Sequence, residues 1–328
     1  MNVLVVGGAG FIGSHLVEEL LETHSNRDQH HVSIVDDLST GSLKNIEHLN
    51  YFSKYNIDHN KNYSNCTLHK EKINDYIKDR PNAKFDYVFS LAAQTSVPET
   101  VEDPVGSNHK NVTETLEFVD WVFTKCKPKK FIWFSSSAVY GNNMSVKENQ
   151  PFKNSTVSPY AIQKKLIEDY IEFYSNKHRI QSLVFRPFNV FGTRQNPDGK
   201  YPNLISSWGK ALATNQPLII YGSGEQKRDF VSVKQLVKKV LSDVSVTDYP
   251  TFIVKDIGTG FNFSVNEILS LVRSEIDSCL LVKFFPERLG EVKETLSATK
   301  LDHSSNKLKI CKEIVDTLEW YMVNYAVS

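Results

Sequence analysis

Val3-Leu4-Val5-Val6-Gly7-Gly8-Ala9-Gly10-Phe11-Ile12-Gly13-Ser14-His15-Leu16 lies at the very start of the chain, and its reading decides the fold. Residues 3–6 form a short apolar run of the length expected for a buried strand. Gly7, Gly10 and Gly13 follow at the spacing Gly-x-x-Gly-x-x-Gly, and from Ile12 to Thr23 the pattern turns helical. A glycine turn between a strand and a helix allows a tight chain reversal. It lets backbone N–H groups approach a pyrophosphate and lets the helix pack closely on the strand. The helix N-terminus adds partial positive charge toward the phosphates. Three glycines alone carry little weight, but their position at the end of a first strand makes the motif specific. A purely structural turn is the alternative.

Further apolar runs at Val32–Val35, Tyr87–Leu91, Phe131–Phe134 and Leu183–Phe185 alternate with helical patterns such as Val112–Thr124. That alternation predicts an α/β fold, a Rossmann-like doubly wound parallel sheet. After Pro187 prolines and glycines loosen the pattern, with helices expected over Leu204–Ala213 and Val233–Asp243. The expected organisation is a dinucleotide-binding domain over 1–188, with returning segments near 229–260, and a smaller C-terminal substrate lobe over 189–328. Phe252–Asp256 is a candidate for a strand that rejoins the sheet. Two polar segments, Glu22–His31 and Asn50–Cys66, look like surface insertions.

The 328 residues carry 38 basic and 38 acidic side chains, which argues against nucleic-acid binding through bulk charge. No window approaches 18 uninterrupted apolar residues, so no membrane span is expected, and the N-terminus lacks the marks of a signal peptide. Cys66, Cys126, Cys279 and Cys311 are scattered, which speaks against a metal site or a disulfide framework and fits a cytoplasmic location.

Asp36 closes the second expected strand, 23 residues after Gly13. A carboxylate there can accept both hydroxyls of an adenosine ribose and repels a 2′-phosphate, which favours NAD over NADP. The alternative is a turn cap, since Asp36-Asp37 precedes a loop.

Ser158-Pro159-Tyr160-Ala161-Ile162-Gln163-Lys164 starts another helix, with Ser158 suited to its N-cap and Pro159 to its first position. Tyr160 and Lys164 share one face, and theirs is the only Tyr-x-x-x-Lys in the chain. A phenol with a pKa near ~10 is a poor base at neutral pH. A nearby ammonium and an oxidised nicotinamide both favour the phenolate. Tyr160 could then take a proton from a sugar hydroxyl while hydride leaves the same carbon for NAD, with a hydroxyl of Ser135-Ser136-Ser137 hydrogen-bonded to that oxygen. An ordinary amphipathic tyrosine beside a solvated lysine is the alternative.

Taken in order, "GGAGFIGSHL" (7–16), "VDDLSTG" (35–41), "LAAQTSV" (91–97), "SSSAVYG" (135–141), "SPYAIQK" (158–164), "RPFNVFG" (186–192), "PLIIYGSGEQKRDFVSV" (217–233) and "ERLGE" (287–291) resemble the extended short-chain dehydrogenase/reductases of the NAD-dependent nucleotide-sugar epimerase/dehydratase family. The likeness runs nearly end to end and is more specific for the family than for the substrate. It implies Ser136, Tyr160 and Lys164 as the catalytic set. For NAD it implies Gly7, Gly10, Phe11, Ile12, Gly13, Asp36, Asp37, Leu38, Ser39, Thr40, Gly41, Ile73, Leu91, Ala92 and Ala93, together with Tyr160 and Lys164.

Related 4,6-dehydratases carry an Asp-Glu pair just after the catalytic hydroxyl; here those positions are Ser137 and Ala138. Alanine carries no proton, so acid–base work at the sugar C5 and C6 lacks a local carrier. The simplest remaining reaction is 4-epimerisation through a 4-keto sugar, unless a carboxylate arrives from elsewhere in the chain. A nucleotide-sugar 4-ketoreductase, a dehydratase and a catalytically idle nucleotide-sugar binding protein are the competing readings.

For a UDP-sugar the resemblance implies Asn189, Arg228 and Arg288 near the diphosphate and Tyr221, Ile219 and Leu204 by the uracil. It implies Glu291 on the ribose and Val97, Ser136, Tyr160 and Thr295 at the sugar. Arginine suits the diphosphate because its planar fork binds oxygens in pairs. The alternative for Arg228 is a surface ion pair with Asp229. Thr295 is small where related galactose epimerases use residue size to restrict the space beside C2. N-acetylhexosamines are therefore expected alongside UDP-glucose and UDP-galactose, though a threonine without selective effect is equally open. Lys72 stands where the family usually has an Asp facing adenine, Ser90 where His is common, and Glu114 where Gly is common. The family's usual homodimer, a four-helix bundle of the helices near Val112–Thr124 and Tyr160–Tyr174, is the expected assembly.

Overall fold

Every pairing in the central sheet is parallel, and the alternation of short apolar runs with helices is the reason, because parallel neighbours need a crossover between them. The computed structural model describes residues 1–23, 31–49, 65–141, 158–200, 202–287, 292–301 and 306–326. Its strands are β1 (Asn2–Val6), β2 (His31–Val35), β3 (Cys66–His69), β4 (Tyr87–Ser90), β5 (Lys130–Phe134), β6 (Gln181–Pro187), β7 (Asn189–Phe191), β8 (Leu218–Tyr221), β9 (Lys227–Ser232), β10 (Phe252–Ile257), β11 (Asn262–Ser264) and β12 (Val282–Phe285). The helices are α1 (Phe11–Thr23), α2 (Ile73–Asp79), α3 (Val97–Glu102), α4 (Pro104–Asn108), α5 (Thr115–Trp121), α6 (Pro159–His178), α7 (Leu204–Ala213), α8 (Val233–Ser245), α9 (Val265–Glu275) and α10 (Lys307–Tyr325).

The seven-stranded sheet has the order β10-β6-β5-β4-β1-β2-β3, so the winding reverses between β1 and β4. In such open sheets ligands bind beyond the carboxyl ends of the strands at that reversal. Residues of β1 alternate between two cores. Val3 and Val5 join a cluster with α1 and α8, whereas Leu4 and Val6 join one with α5 and α6. All four are buried, which is why the run reads as continuously apolar rather than alternating.

Phe252–Ile257 rejoins the sheet beside β6, as its composition suggests. The strand β3 has no counterpart in the sequence expectations, which placed Cys66 at the end of an insertion. Its four residues alternate buried and half-buried at the sheet edge, too short and too polar a pattern to stand out. The helix expected over Val112–Thr124 is part of a longer helical course from Pro104, interrupted by π-helical turns at His109–Glu114 and Val122–Cys126. A third apolar cluster joins β8 to α7, α9 and α10. Among the described residues no helix is long and apolar enough to cross a membrane, and no cluster of His, Cys, Asp and Glu could hold a metal. The four cysteines are free thiols.

One buried polar network ties four elements together behind the sheet edge. Glu168 of α6 accepts from Arg186 of β6 at 2.9 Å (Nε to Oε1) and 2.5 Å (Nη2 to Oε2). The hydroxyl of Ser135, just past β5, donates to Glu168 Oε1 at 2.5 Å. Arg186 Nη1 also donates to the Tyr140 hydroxyl at 2.8 Å, and that hydroxyl donates to Asp256 of β10 at 2.7 Å. Removing one partner of a buried ion pair strands the other charge. Glu168→Gln is therefore expected to cost about 3–5 kcal/mol of unfolding free energy in urea titration. A loss below about 1 kcal/mol would mean the pair contributes no more than a surface contact.

Candidate active site

The glycine turn supplies the first part of the site. Gly7 has φ +82°, and a Cβ there would lie 2.8 Å from the Ala92 backbone nitrogen. Leu91 N–H donates to Val6 O, so the chain leaving β4 is held against the turn. A Cβ on Gly13 would lie 2.0 Å from Gly7 O, which fixes the close packing of α1 on the turn. Phe11 is the first residue of α1 and Ile12 the second.

At the end of β2 Asp36 is buried, with Oδ2 accepting from Ala9 N–H at 2.8 Å and Oδ1 from Leu38 N–H at 2.9 Å. The second bond is the turn cap weighed above, so the carboxylate both caps its own loop and faces the glycine turn. Burial raises its pKa, against the pull of the backbone donors. Asp37, Leu38, Ser39, Thr40 and Gly41 form the loop beyond it, and a Cβ on Gly41 would press on the Asp36 carboxylate at 2.8 Å. A tight backbone cradle, a helix N-terminus and an acceptor at the end of the second strand fit NAD. Ile73 opens α2 and packs partly buried against the second core; Lys72 before it is the N-cap residue, without a side-chain cap bond. Ala93 follows Ala92 toward α3, whose first residue is Val97.

The second part of the site is at the ends of β5 and α6. Ser158 accepts from Ala161 N–H as the N-cap of α6, with Pro159 in the first turn. This sets Tyr160 and Lys164 on the face turned to the sheet, where they are 6% and 5% exposed. Ser136 is in extended backbone and accepts from Ala138 N–H at 3.1 Å, starting a 3-10 turn over Ser137–Tyr140. Its side chain hydrogen-bonds the Tyr160 phenol. Lys164 Nζ donates to Phe134 O at 2.9 Å and stands over the Trp133 ring at 4.5 Å and the Tyr160 ring at 5.9 Å.

The electrostatics differ from the simple expectation that the cation lowers the phenol. Burial pushes the Tyr160 phenol up to about 12, with the Ser136 bond acting the other way. Burial likewise pushes Lys164 down to about 7, and the charge of Glu168 opposes it. Within the chain, desolvation of both groups is the largest influence on each.

Beyond Ser136 lies a small pocket, partly open to solvent and lined by Ser137, Tyr140, Phe188 and Thr295 with two carboxylates, Asp256 and Glu294. Sequence reasoning missed both carboxylates, and no local motif marks them, because only the fold brings β10 and the 292–296 segment to Ser137. Thr295 Oγ1 donates to Asn189 Oδ1 at 3.2 Å, so these two expected substrate residues meet. Arg228 Nη1 donates to Lys227 O at 2.9 Å. The ion pair of Arg228 with Asp229 is ruled out as its role. Asp229 is fully buried on the opposite side of β9, where Thr259, Gly260 and Ser297 donate to it. Tyr221 and Phe285 contact each other across β8 and β12 with ring centroids 5.9 Å apart, and Ile219 is exposed on the same strand. Leu204 opens α7 and packs against the third core. Arg288 and Glu291 lie outside the described residues.

Residues 3–242 match the model of the NAD dependent epimerase/dehydratase family. The putative UDP-glucose 4-epimerase of Methanocaldococcus jannaschii is 35% identical over 277 residues, covering 84% of this chain and 82% of that protein. The dTDP-D-glucose 4,6-dehydratase of Mus musculus is 28% identical over 335 residues, covering 99% and 89%. Among solved structures, a UDP-N-acetylglucosamine 4-epimerase from Methanobrevibacter ruminantium, in complex with UDP-N-acetylmuramic acid, superposes with a TM-score of 0.80 at 32% identity, covering 98% of each chain. With a parallel sheet whose winding reverses at the glycine turn and a family match over most of its length, the chain belongs to the NAD-dependent epimerase/dehydratase family and is an NAD-dependent enzyme.

Proposed function

We propose that the chain is a UDP-sugar 4-epimerase acting through a transient 4-keto sugar, on UDP-N-acetylhexosamines, UDP-glucose and UDP-galactose. The observation that carries this reading is the grouping of half-buried Ser136 with buried Tyr160 and Lys164 at the carboxyl edge of the sheet, followed at Ser137 and Ala138 by side chains that hold no acid. NAD, when bound, supplies a hydride acceptor that also returns the hydride. Tyr160 removes and restores the proton of the sugar 4-hydroxyl, and Ser136 holds that oxygen. Lys164 sets a positive charge beside the phenol and so favours its ionised form.

Residues 1–188, with the returning segments near 229–260, form the NAD-binding part in this reading, and the rest forms mostly the sugar-nucleotide lobe. Support comes from the third apolar cluster, which draws only on residues beyond 190. Asn189, Arg228 and Arg288 are assigned to the diphosphate, Tyr221, Ile219 and Leu204 to the uracil, Glu291 to the ribose, and Val97 and Thr295 to the sugar. The names of the relatives from Methanocaldococcus jannaschii and Methanobrevibacter ruminantium favour the same chemistry. A cytoplasmic location belongs to the same reading.

A second reading, dehydration of the sugar, is favoured by Asp256 and Glu294 beside Ser137 and by the dehydratase relative. Incubating purified protein with a panel of UDP-sugars and following products by NMR separates the two. Epimerisation at C4 without added cofactor is expected, whereas a stable 4-keto-6-deoxy product would establish the dehydratase instead. In the same assay Tyr160→Phe is expected to lower kcat by roughly 10²–10⁴-fold.

Lys164 gives a pH test. Its value is about 7 in the fold against an ordinary 10.5, so between these two the unfolded chain binds the proton more readily. As far as this group is concerned, stability therefore rises with pH from about 7 to 10.5, and below 7 the fold carries the full desolvation cost. Lys164→Met is expected to stabilise the protein by on the order of 2–4 kcal/mol near pH 6 while abolishing turnover, with the gain shrinking toward pH 10. Denaturant titrations at several pH values check this, and an unchanged or lowered stability at pH 6 contradicts it.

The homodimer is proposed on the exposed stripe Ile162, Leu166, Tyr170 and Phe173, which follows one face of α6. The exposed positions Thr113, Glu117 and Asp120 of the neighbouring helix are polar, so α6 supplies most of the apolar surface. Sedimentation is expected to show a dimer that Ile162→Glu with Phe173→Glu converts to a monomer; a wild-type monomer would overturn it.

A further inference from the structure

We propose that Asp229 is a positioning residue for the sugar-nucleotide end of the site, holding Thr295 and Asn189 in place from behind. This rests on the reading of that end given above. Asp229 is 0% exposed on β9, and both of its oxygens are used by donors from two remote segments. Oδ1 accepts from Thr259 N–H at 2.8 Å and from the Thr259 hydroxyl at 2.7 Å. Oδ2 accepts from Gly260 N–H at 2.9 Å and from Ser297 N–H at 3.0 Å.

The effect reaches the cavity through the 293–297 segment. Ser297 is anchored to the carboxylate two residues after Thr295, and Asp229 N–H donates to Thr295 Oγ1 at 3.3 Å. Thr295 N–H donates to Lys227 O, and Lys227 N–H to Lys293 O, so the segment lies along β9. The Thr295 hydroxyl in turn bonds Asn189. Gly258 permits the close fit, since a Cβ there would meet Ser297 Cβ at 2.5 Å, Asp229 Oδ2 at 2.9 Å and Phe188 Cδ2 at 3.0 Å. Thr295 and Phe188 both line the cavity beside Ser137. A buried carboxylate with four donors is thus the common anchor of three chain segments that meet at one wall of the site.

Asparagine at 229 keeps the shape but turns one acceptor into a donor, so at least one of the facing N–H groups loses its partner. The test uses the full-length protein and UDP as the probe, measured by calorimetry, so that it needs no turnover. Wild type is expected to bind UDP; no binding would overturn the sugar-nucleotide reading itself, and the inference with it. Given wild-type binding, Asp229→Asn is expected to weaken UDP binding by roughly tenfold or more, with NAD affinity unchanged. Thr259→Val removes one of the four donors to Asp229, together with the longer bonds of that hydroxyl to the Phe261 backbone, and keeps the Thr259 N–H, so it is expected to weaken UDP binding by about threefold. It stands as the deciding variant if Asp229→Asn does not fold. In a turnover assay KM for the UDP-sugar is expected to rise more than kcat falls. Variants that melt lower but bind UDP as wild type does would make Asp229 a structural clamp only and overturn the inference.

Discussion

A lysine ammonium held out of water at the end of β5 is the constraint around which the site is arranged. Lys164 Nζ donates to the Phe134 carbonyl and stands over the face of Trp133. Taking a charge out of water is unfavourable, and burial is the largest influence on its titration. Glu168, one turn further along α6, offsets part of that cost, but its two oxygens are committed to Arg186 and Ser135. The network therefore has to be complete to stand: it joins β5, α6, β6 and, through Tyr140, β10. A protein selected for stability alone would fill this place with apolar side chains. Keeping the lysine is the kind of local departure from good packing that marks a functional site.

Much of this was legible in the sequence because the signals are local. The strand, glycine turn and helix over 3–16 are contiguous, and each glycine answers to a close contact in the structure, Gly7 with Ala92 and Gly13 with Gly7 itself. Ser158-Pro159 gives the start of α6 and with it the common face of Tyr160 and Lys164. The strand β3 escaped because an edge strand of four residues with half-buried Thr67 and His69 lacks the apolar run of its neighbours. The helix α9 begins with a capping box, Ser264 to Glu267, a signal present in the sequence and passed over. The pKa directions were not legible at all. They depend on how completely Tyr160 and Lys164 are desolvated, and sequence spacing says nothing about that.

The end proposed for the sugar nucleotide is a different case. Asn189 and Thr295 come from segments separated by about a hundred residues, and the contacts around them run through Asp229, Thr259 and Ser297. None of those three forms a motif whose chemistry could be named from residue types. The carboxylates of Asp256 and Glu294 are likewise placed by strand order and chain return. Groups held on one helix and one strand end, such as Tyr160, Lys164 and Ser136, can be placed together from the chain, whereas a wall assembled from several returning segments has to be seen.

The account turns on whether the raised phenol of Tyr160 is brought back toward neutrality when positive charge is added beside it. Near-ultraviolet titration of tyrosinate, taken as wild type minus Tyr160→Phe with and without NAD, measures this directly. The expected result is ionisation near 12 for the protein alone, moving down by several pH units when oxidised NAD is added. A difference titration that stays at the same high pH with NAD bound would contradict the assignment of Tyr160 as the group that takes the sugar proton.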